Sequence, residues 1–177
     1  MGKKIERRDI IKVLYNARYG GFGISLFAVL KLIKKNRSGI CAYKPFIENT
    51  ASNHKLVDPY RRVRIHDALD IGYWGDIIFT KYEVGEITDK NYFDENPNEV
   101  LSYDEVHDLF QKPDNLRFNK KLIKLVDKYG SERISGEACE LAIADIPKGH
   151  NFRIVEHDGY ETVEQFYYDD PYYYAYK

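Results

Sequence analysis

From Ile10 to Tyr15 the chain is apolar at Ile10, Ile11, Val13, Leu14 and Tyr15 without the alternation of a half-exposed strand. That pattern predicts a short strand buried on both faces. Asn16, Gly20, Gly21 and Gly23 then break the run as a loop. Behind Ser25, Leu26, Phe27, Val29, Leu30, Leu32 and Ile33 recur at helical spacing, and Lys31, Lys34 and Lys35 fall toward the end where the helix dipole favours cations. The predicted order is strand, glycine loop, helix.

No period persists from Ser38 to Arg62, where Pro45, Asn49, Asn53 and Pro59 punctuate the chain, so a long loop is expected with a short strand near Ile40 to Tyr43. Tyr60 to Asp67 reads as a strand edge, with Arg62 and Arg64 on one face if extended. Ile71 to Tyr82 is aromatic and β-branched and predicts a bent strand or hairpin. Ser102 and Glu105 form a capping box that opens a helix through Phe110, stopped by Pro113. A second helix is expected from Asn119 to Tyr129, with Leu122, Ile123, Leu125 and Val126 as its stripe and Gly130 at its end. Glu140 to Ile146 is expected as a strand paired with Phe152 to Glu156 across Pro147-Lys148-Gly149, and Tyr160 to Gln165 closes the meander after Asp158-Gly159. The expected fold class is α+β, a single domain over 1–165. Its small mixed or antiparallel sheet is built from the N-terminal strand and the meander and packed by two or three helices. A variable insertion occupies 38–113, and the acidic, tyrosine-rich tail over 166–177 is expected as an extended arm or disorder and not as a core element.

Charge narrows the partners. Lys plus Arg number 27 and Asp plus Glu 28, so the net charge of -1 supplies no global field for a polyanion, and such a site must be a local patch. Two cysteines, Cys41 and Cys139, argue against a disulfide framework and suit a reducing compartment. No long apolar run or apolar signal core appears, so an intracellular protein with no membrane partner is expected, with a homo-oligomer left open. Tyrosine is over-represented at 16 of 177 residues, as the codon bias of an AT-rich genome would produce.

Two separated blocks carry a resemblance. Tyr15-Asn16-Ala17-Arg18-Tyr19-Gly20-Gly21-Phe22-Gly23-Ile24-Ser25 resembles the YN-x-x-YGGF-x-LS signature of small proteins of large-genome bacteriophages and giant DNA viruses. Leu116 to Glu164 resembles their closing part, through Arg117, Tyr129-Gly130, Ser135-Gly136, Asp145-Ile146-Pro147 and Glu156-His157-Asp158-Gly159-Tyr160-Glu161. Asn119 departs from the pattern, which has Asp there. The resemblance covers about a third of the chain in the same order, and that family has no established activity. It implies a viral origin, a host-cytoplasmic setting and two blocks that form one unit.

The glycine loop is the leading candidate site, because a strand running through glycines to a helix N-terminus exposes N–H groups to an anion. The ligand-binding set is Tyr15, Asn16, Tyr19, Gly20, Gly21, Phe22, Ser25 and Arg117, with the aromatic rings as stacking faces. The glycine spacing departs from G-x-G-x-x-G and no Gly-Lys-Ser/Thr follows, so a tight turn covered by Tyr19 and Phe22 is the alternative. Glu156 and Asp158 are candidate metal ligands if a strand carries both to one side, against the alternative of a charged turn. Arg61, Arg62 and Arg64, with Tyr60 and Trp74 nearby, form a candidate nucleic-acid patch, against the alternative of a charge-protected edge. The histidines lack metal-ligand spacing, and His66-Asp67 would face opposite ways on a strand.

No catalytic residue or cofactor is assigned. The leading expectation is a non-enzymatic, virus-encoded protein that binds a host protein or a small phosphorylated ligand at the glycine loop and Arg117. The alternatives are a Mg-dependent nucleotide hydrolase or nuclease using Glu156 and Asp158, and a structural protein of the virion interacting through its tail. One spatial expectation follows: the glycine loop, Arg117 and the Glu156 to Glu161 segment should meet.

Overall fold

The computed structural model describes residues 10–36, 38–50, 53–66, 68, 77–85, 87, 89 and 91–166, and the chain is an α+β protein. It divides into two compact units, one joining the described residues up to Ile24 with those from Lys112 onward, the other spanning Ser25–Gln111. The helix expected after Ser25 and the insertion expected from residue 38, as far as Gln111, both lie in the second unit.

In the first unit, β1 (Ile10–Asn16) pairs antiparallel with β5 (Leu141–Pro147), in register from Ile10 opposite Pro147 to Asn16 opposite Leu141. Val13 and Leu14 are fully buried, as adjacent residues on opposite faces must be if both faces are covered. A single turn, α4 (Pro113–Leu116), leads into α5 (Lys120–Tyr129), where the Asn119 side chain accepts from the Lys121 and Leu122 N–H groups. Asn caps a helix as Asp would, so the cap at this position is complete without a carboxylate. Leu122, Ile123, Leu125 and Val126 are the buried stripe, Gly130 ends the helix at φ 81, and α6 (Ser131–Ile134) follows.

β6 (Asn151–His157) and β7 (Tyr160–Phe166) form a hairpin whose loop is Asp158-Gly159. Both loop residues have positive φ, 53 and 80, the condition for the two-residue turn that matches strand twist. The expected pairing of Phe152–Glu156 with Glu140–Ile146 is corrected here: β6 pairs with β7, and β5 pairs with β1. Asp158-Gly159 sets the β6–β7 register directly. The two ribbons then stack, with Val13, Ile146 and Phe152 forming a core joined by Phe118, Ile154 and Val163.

The second unit opens with α1 (Leu26–Asn36), capped where expected, since Ser25 Oγ accepts from the Ala28 N–H at 3.2 Å. β2 (Cys41–Thr50) is the centre of a three-stranded antiparallel sheet, between β3 (Asn53–Arg62) and β4 (Ile78–Thr80). Two ten-residue strands therefore occupy the stretch expected as a loop. Their register shifts between Pro45 and Ile47, and that irregularity destroys the period-2 pattern by which a strand is recognised. Of the element expected over Ile71 to Tyr82, Ile78–Thr80 is a strand, while Trp74 and Asp67 lie outside the described residues.

Tyr43, Phe93, Cys41, Val84 and Ile87 form one core cluster of this unit, and α1 buries Leu26 to Leu30 and Leu32. The buried Tyr43 hydroxyl donates to the Val84 carbonyl at 3.1 Å and accepts from the Val84 N–H at 3.0 Å, so burial leaves it satisfied. Tyr60 meets the Phe93 ring edge-on at 4.7 Å between centroids. After the short α2 (Tyr92–Glu95) comes α3 (Tyr103–Phe110), which carries the expected capping box: Glu105 N–H donates to Ser102 Oγ at 3.2 Å and Ser102 N–H to Glu105 Oε2 at 2.8 Å.

Candidate functional site

The last residue of β1 organises the loop that follows. Asn16 is fully buried, and both ends of its amide are used. Nδ2 donates to the Arg18 carbonyl at 2.5 Å and the Gly159 carbonyl at 2.7 Å, while Oδ1 accepts from the Glu140 N–H at 2.9 Å and the Arg18 N–H at 3.3 Å. One side chain thus joins the glycine loop, the approach to β5 and the β6–β7 turn.

Close backbone approach explains two of the glycines. A Cβ on Gly20 (φ 127) would lie 2.2 Å from the Ala138 carbonyl oxygen, and one on Gly159 would lie 2.5 Å from the Gly21 nitrogen and 2.8 Å from that of Gly20. No side chain fits at either place, so the loop rests directly on the hairpin turn. Gly21, also at positive φ, has open space where its Cβ would be.

Arg117 sits just after α4, and its carbonyl accepts from the Leu14 N–H at 2.9 Å, which ties it to β1. Its guanidinium grips Glu161 of β7 with two hydrogen bonds, Nη1 to Oε2 at 2.8 Å and Nη2 to Oε1 at 2.7 Å. Glu161 Oε2 also accepts from the Asn16 N–H at 2.8 Å, and Arg117 Nη1 reaches the Leu14 carbonyl at 3.3 Å. The Phe22 ring lies 5.0 Å from the guanidinium carbon. The two charged side chains are 13% and 5% exposed, so the pair is a buried, bidentate one. Geometrically this is an anion site at the end of β1, with a backbone N–H and an arginine fork. The anion in it is the chain's own carboxylate.

The glycine loop, Arg117 and the hairpin do meet, through Asn16 and Glu161. Tyr15 is half-buried opposite Ala142. Tyr19 is 62% exposed, and its ring centroid lies 5.6 Å from that of Tyr160. The Gly23 N–H donates to the Cys139 sulfur at 3.4 Å, and burial pushes that thiol's pKa above its ordinary range. Ser25 belongs to the second unit, where it caps α1. Glu161, absent from the ligand-binding set, is the residue that completes the arrangement. β7 carries two carboxylates, Glu161 and Glu164, and only the strand register shows that Glu161 is the buried one that needs a cation.

Glu156 and Asp158 do not share a strand face: the strand ends at His157, and Asp158 lies in the reversal at φ 53. Glu156 Oε1 accepts from the Gly159 N–H at 2.8 Å and so closes the turn. Among the described residues no group of three or more His, Cys, Asp or Glu side chains is placed to hold a metal ion. Arg61, Arg62 and Arg64 are exposed in the second unit and line a groove of about 1260 Å³. Arg62 forms an ion pair with Glu83, whose side chains are 49% and 63% exposed respectively. The tail beyond Phe166 lies outside the described residues.

No helix among the described residues is long and apolar enough to cross a membrane. No protein-family model, curated protein or solved structure matches the chain.

Proposed function

We propose that the protein is a non-enzymatic, virus-encoded binding protein of the host cytoplasm that acts on a host process by presenting the glycine-loop face of its first unit to a host protein. The viral origin rests on the resemblance of the two signature blocks. The carrying observation is Tyr19, 62% exposed beside Tyr160 on a loop pinned by Asn16 and by the buried Arg117–Glu161 pair. An exposed aromatic on a rigid platform loses little conformational freedom when a partner covers it, and tyrosine supplies contact area with a polar end. A small phosphorylated ligand at the loop is the weaker reading. The Arg117 fork and the Asn16 N–H are held by Glu161, and the Gly23 N–H is held by Cys139.

A photo-crosslinking residue at position 19, with the same residue at the exposed Lys12 as control, tests this in host lysate. A discrete adduct from position 19, absent at position 12 and competed by the unlabelled chain but not by its Tyr19→Ala variant, is expected. Identical adducts from both positions, or none, would contradict it.

A further inference from the structure

The positive charge of Arg117 is neutralised inside the chain by Glu161, whereas α5 carries positive charge that nothing on the helix offsets. Its sequence KKLIKLVDKY holds four lysines, all exposed, and one carboxylate, Asp127. That carboxylate already receives the Lys12 ammonium from β1, at 3.3 Å. Lys120, Lys124 and Lys128 follow one another four residues apart and form a row along the outer face, opposite the buried Leu122, Ile123, Leu125 and Val126. Among the described residues none of these three lysines forms an ion pair, and the Lys128 ammonium lies 5.1 Å from the centroid of the Tyr129 ring.

The placement works against the helix. Lys120 and Lys121 stand in the first turn, where the helix dipole favours acids and disfavours cations, and that turn contains no acid. Like charges four residues apart repel, so the row costs stability at both of its steps. The apolar stripe holds α5 in the core without help from these lysines. Local rules broken twice with no structural return mark a functional surface. An anion lying along the row would relieve both costs.

The chemistry of the face selects the anion. Protein interfaces are built on aromatic and arginine anchors and are poor in lysine. Among the described residues the exposed large hydrophobics, Tyr19, Tyr82 and Leu109, all lie off α5. A helix that enters a bilayer surface needs a free apolar face, and the one on α5 is buried. A nucleic-acid single strand needs stacking rings, which the row lacks. A duplex asks for neither: its backbone takes point charges, and the compact ammonium of lysine is one. At a rise of about 1.5 Å per residue the row spans about 12 Å, along which a duplex presents about seven phosphates.

We propose that the lysine face of α5 is a duplex nucleic-acid site, in which Lys120, Lys124 and Lys128 contact phosphates without reading sequence. It goes beyond the glycine-loop reading and does not depend on it, since Tyr19 takes no part.

Fluorescence anisotropy of a labelled DNA duplex of about 20 base pairs, titrated with the full-length protein at about 50 to 200 mM salt, is the test. A dissociation constant of about 1–100 µM is expected, and about three phosphate contacts give log K against log salt a slope of about -2.7. Lys124→Gln/Lys128→Gln should bind more weakly and flatten that slope by about 1.8, whereas Lys124→Arg/Lys128→Arg should keep it. Lys120→Glu should weaken binding without lowering the thermal midpoint, because it puts an acid in the first turn and four residues before Lys124. Tyr19→Ala should bind the duplex as the parent does, which keeps this result separate from the crosslinking. The proposal is overturned by no binding at about 50 mM salt, by a slope unchanged in the glutamine double variant, or by a lower midpoint in Lys120→Glu. A single strand of the same length bound as tightly would overturn it too. So would phosphatidylserine vesicles or a polyglutamate peptide bound with the same sensitivity to the variants, in favour of a membrane surface or an acidic protein.

Discussion

Arg117 and Glu161, separated by 44 positions, are joined by two hydrogen bonds of 2.8 and 2.7 Å, and the same carboxylate accepts the N–H of Asn16. Three segments that are distant in sequence converge on one carboxylate. The energetics differ from those of a surface pair. Removing one partner of a buried ion pair leaves an uncompensated charge, whereas an exposed pair such as Arg62–Glu83 contributes about 0–1 kcal/mol.

Glycine substitutions should separate close approach from conformation. Gly159→Ala and Gly20→Ala each combine positive φ with a Cβ under 3 Å from backbone atoms, and the backbone must move to admit them. Gly21→Ala has the positive φ without the clash and should cost only about 1–2 kcal/mol. Urea unfolding of the three variants checks the order, and a Gly21→Ala as damaging as the other two would contradict the packing of loop on turn.

Asn16→Ala leaves the Glu140 N–H and the Gly159 carbonyl without their side-chain partners at a buried site. About 2–4 kcal/mol should be lost, from two groups at roughly 1–3 kcal/mol each with partial relaxation. Asn119→Asp should be nearly neutral and Asn119→Ala should lose about 1 kcal/mol, because the cap needs an acceptor and not a charge. Denaturant midpoints measure both.

The two thiols give a pH dependence. Burial is the main cause that raises Cys41 and Cys139 above the ordinary thiol value, and it raises Tyr43 likewise. The folded chain then holds these protons more tightly than the unfolded chain does. Stability is complete below the unfolded thiol pKa of about 8.5 and declines as pH rises from there through the folded values. Urea unfolding at neutral and alkaline pH should show the decline, and it should shrink in Cys139→Ala relative to its own neutral value. Iodoacetamide should label both cysteines slowly in the native protein and quickly in denaturant.

At α3 the direction reverses. The backbone N–H of Ser102 holds the Glu105 carboxyl below its usual range. The capping box is therefore intact above the ordinary glutamate pKa and is lost as pH falls through the lowered value. Glu105→Gln should remove that part of the acid dependence, measurable by circular dichroism.

Local features were legible in the sequence because their causes are local. The Ser102–Glu105 box, the Ser25 cap, the α5 stripe and the Asp158-Gly159 turn each depend on residues a few positions apart. The β2–β3 ribbon was hidden by Pro45 and a register shift, which together erase the alternation that would have disclosed it. The glycine loop was found by its composition, but its occupant was not. Glu161 becomes inward-facing only once the β6–β7 register is set, and its cation comes from another element. At Glu156 and Asp158 the alternative of a charged turn is the one the structure bears out, because Asp158 lies in the reversal that Glu156 closes.

The most direct measurement of the central claim is a double-mutant cycle at Arg117 and Glu161, read as the free energy of urea unfolding. Arg117→Met and Glu161→Leu should each lose about 3–5 kcal/mol. The combined variant should recover much of that loss, but not all, because the Asn16 N–H then stays buried without its acceptor at about 1–3 kcal/mol. Single losses under about 1 kcal/mol that simply add in the double variant would show an exposed, uncoupled pair and contradict the buried site described here.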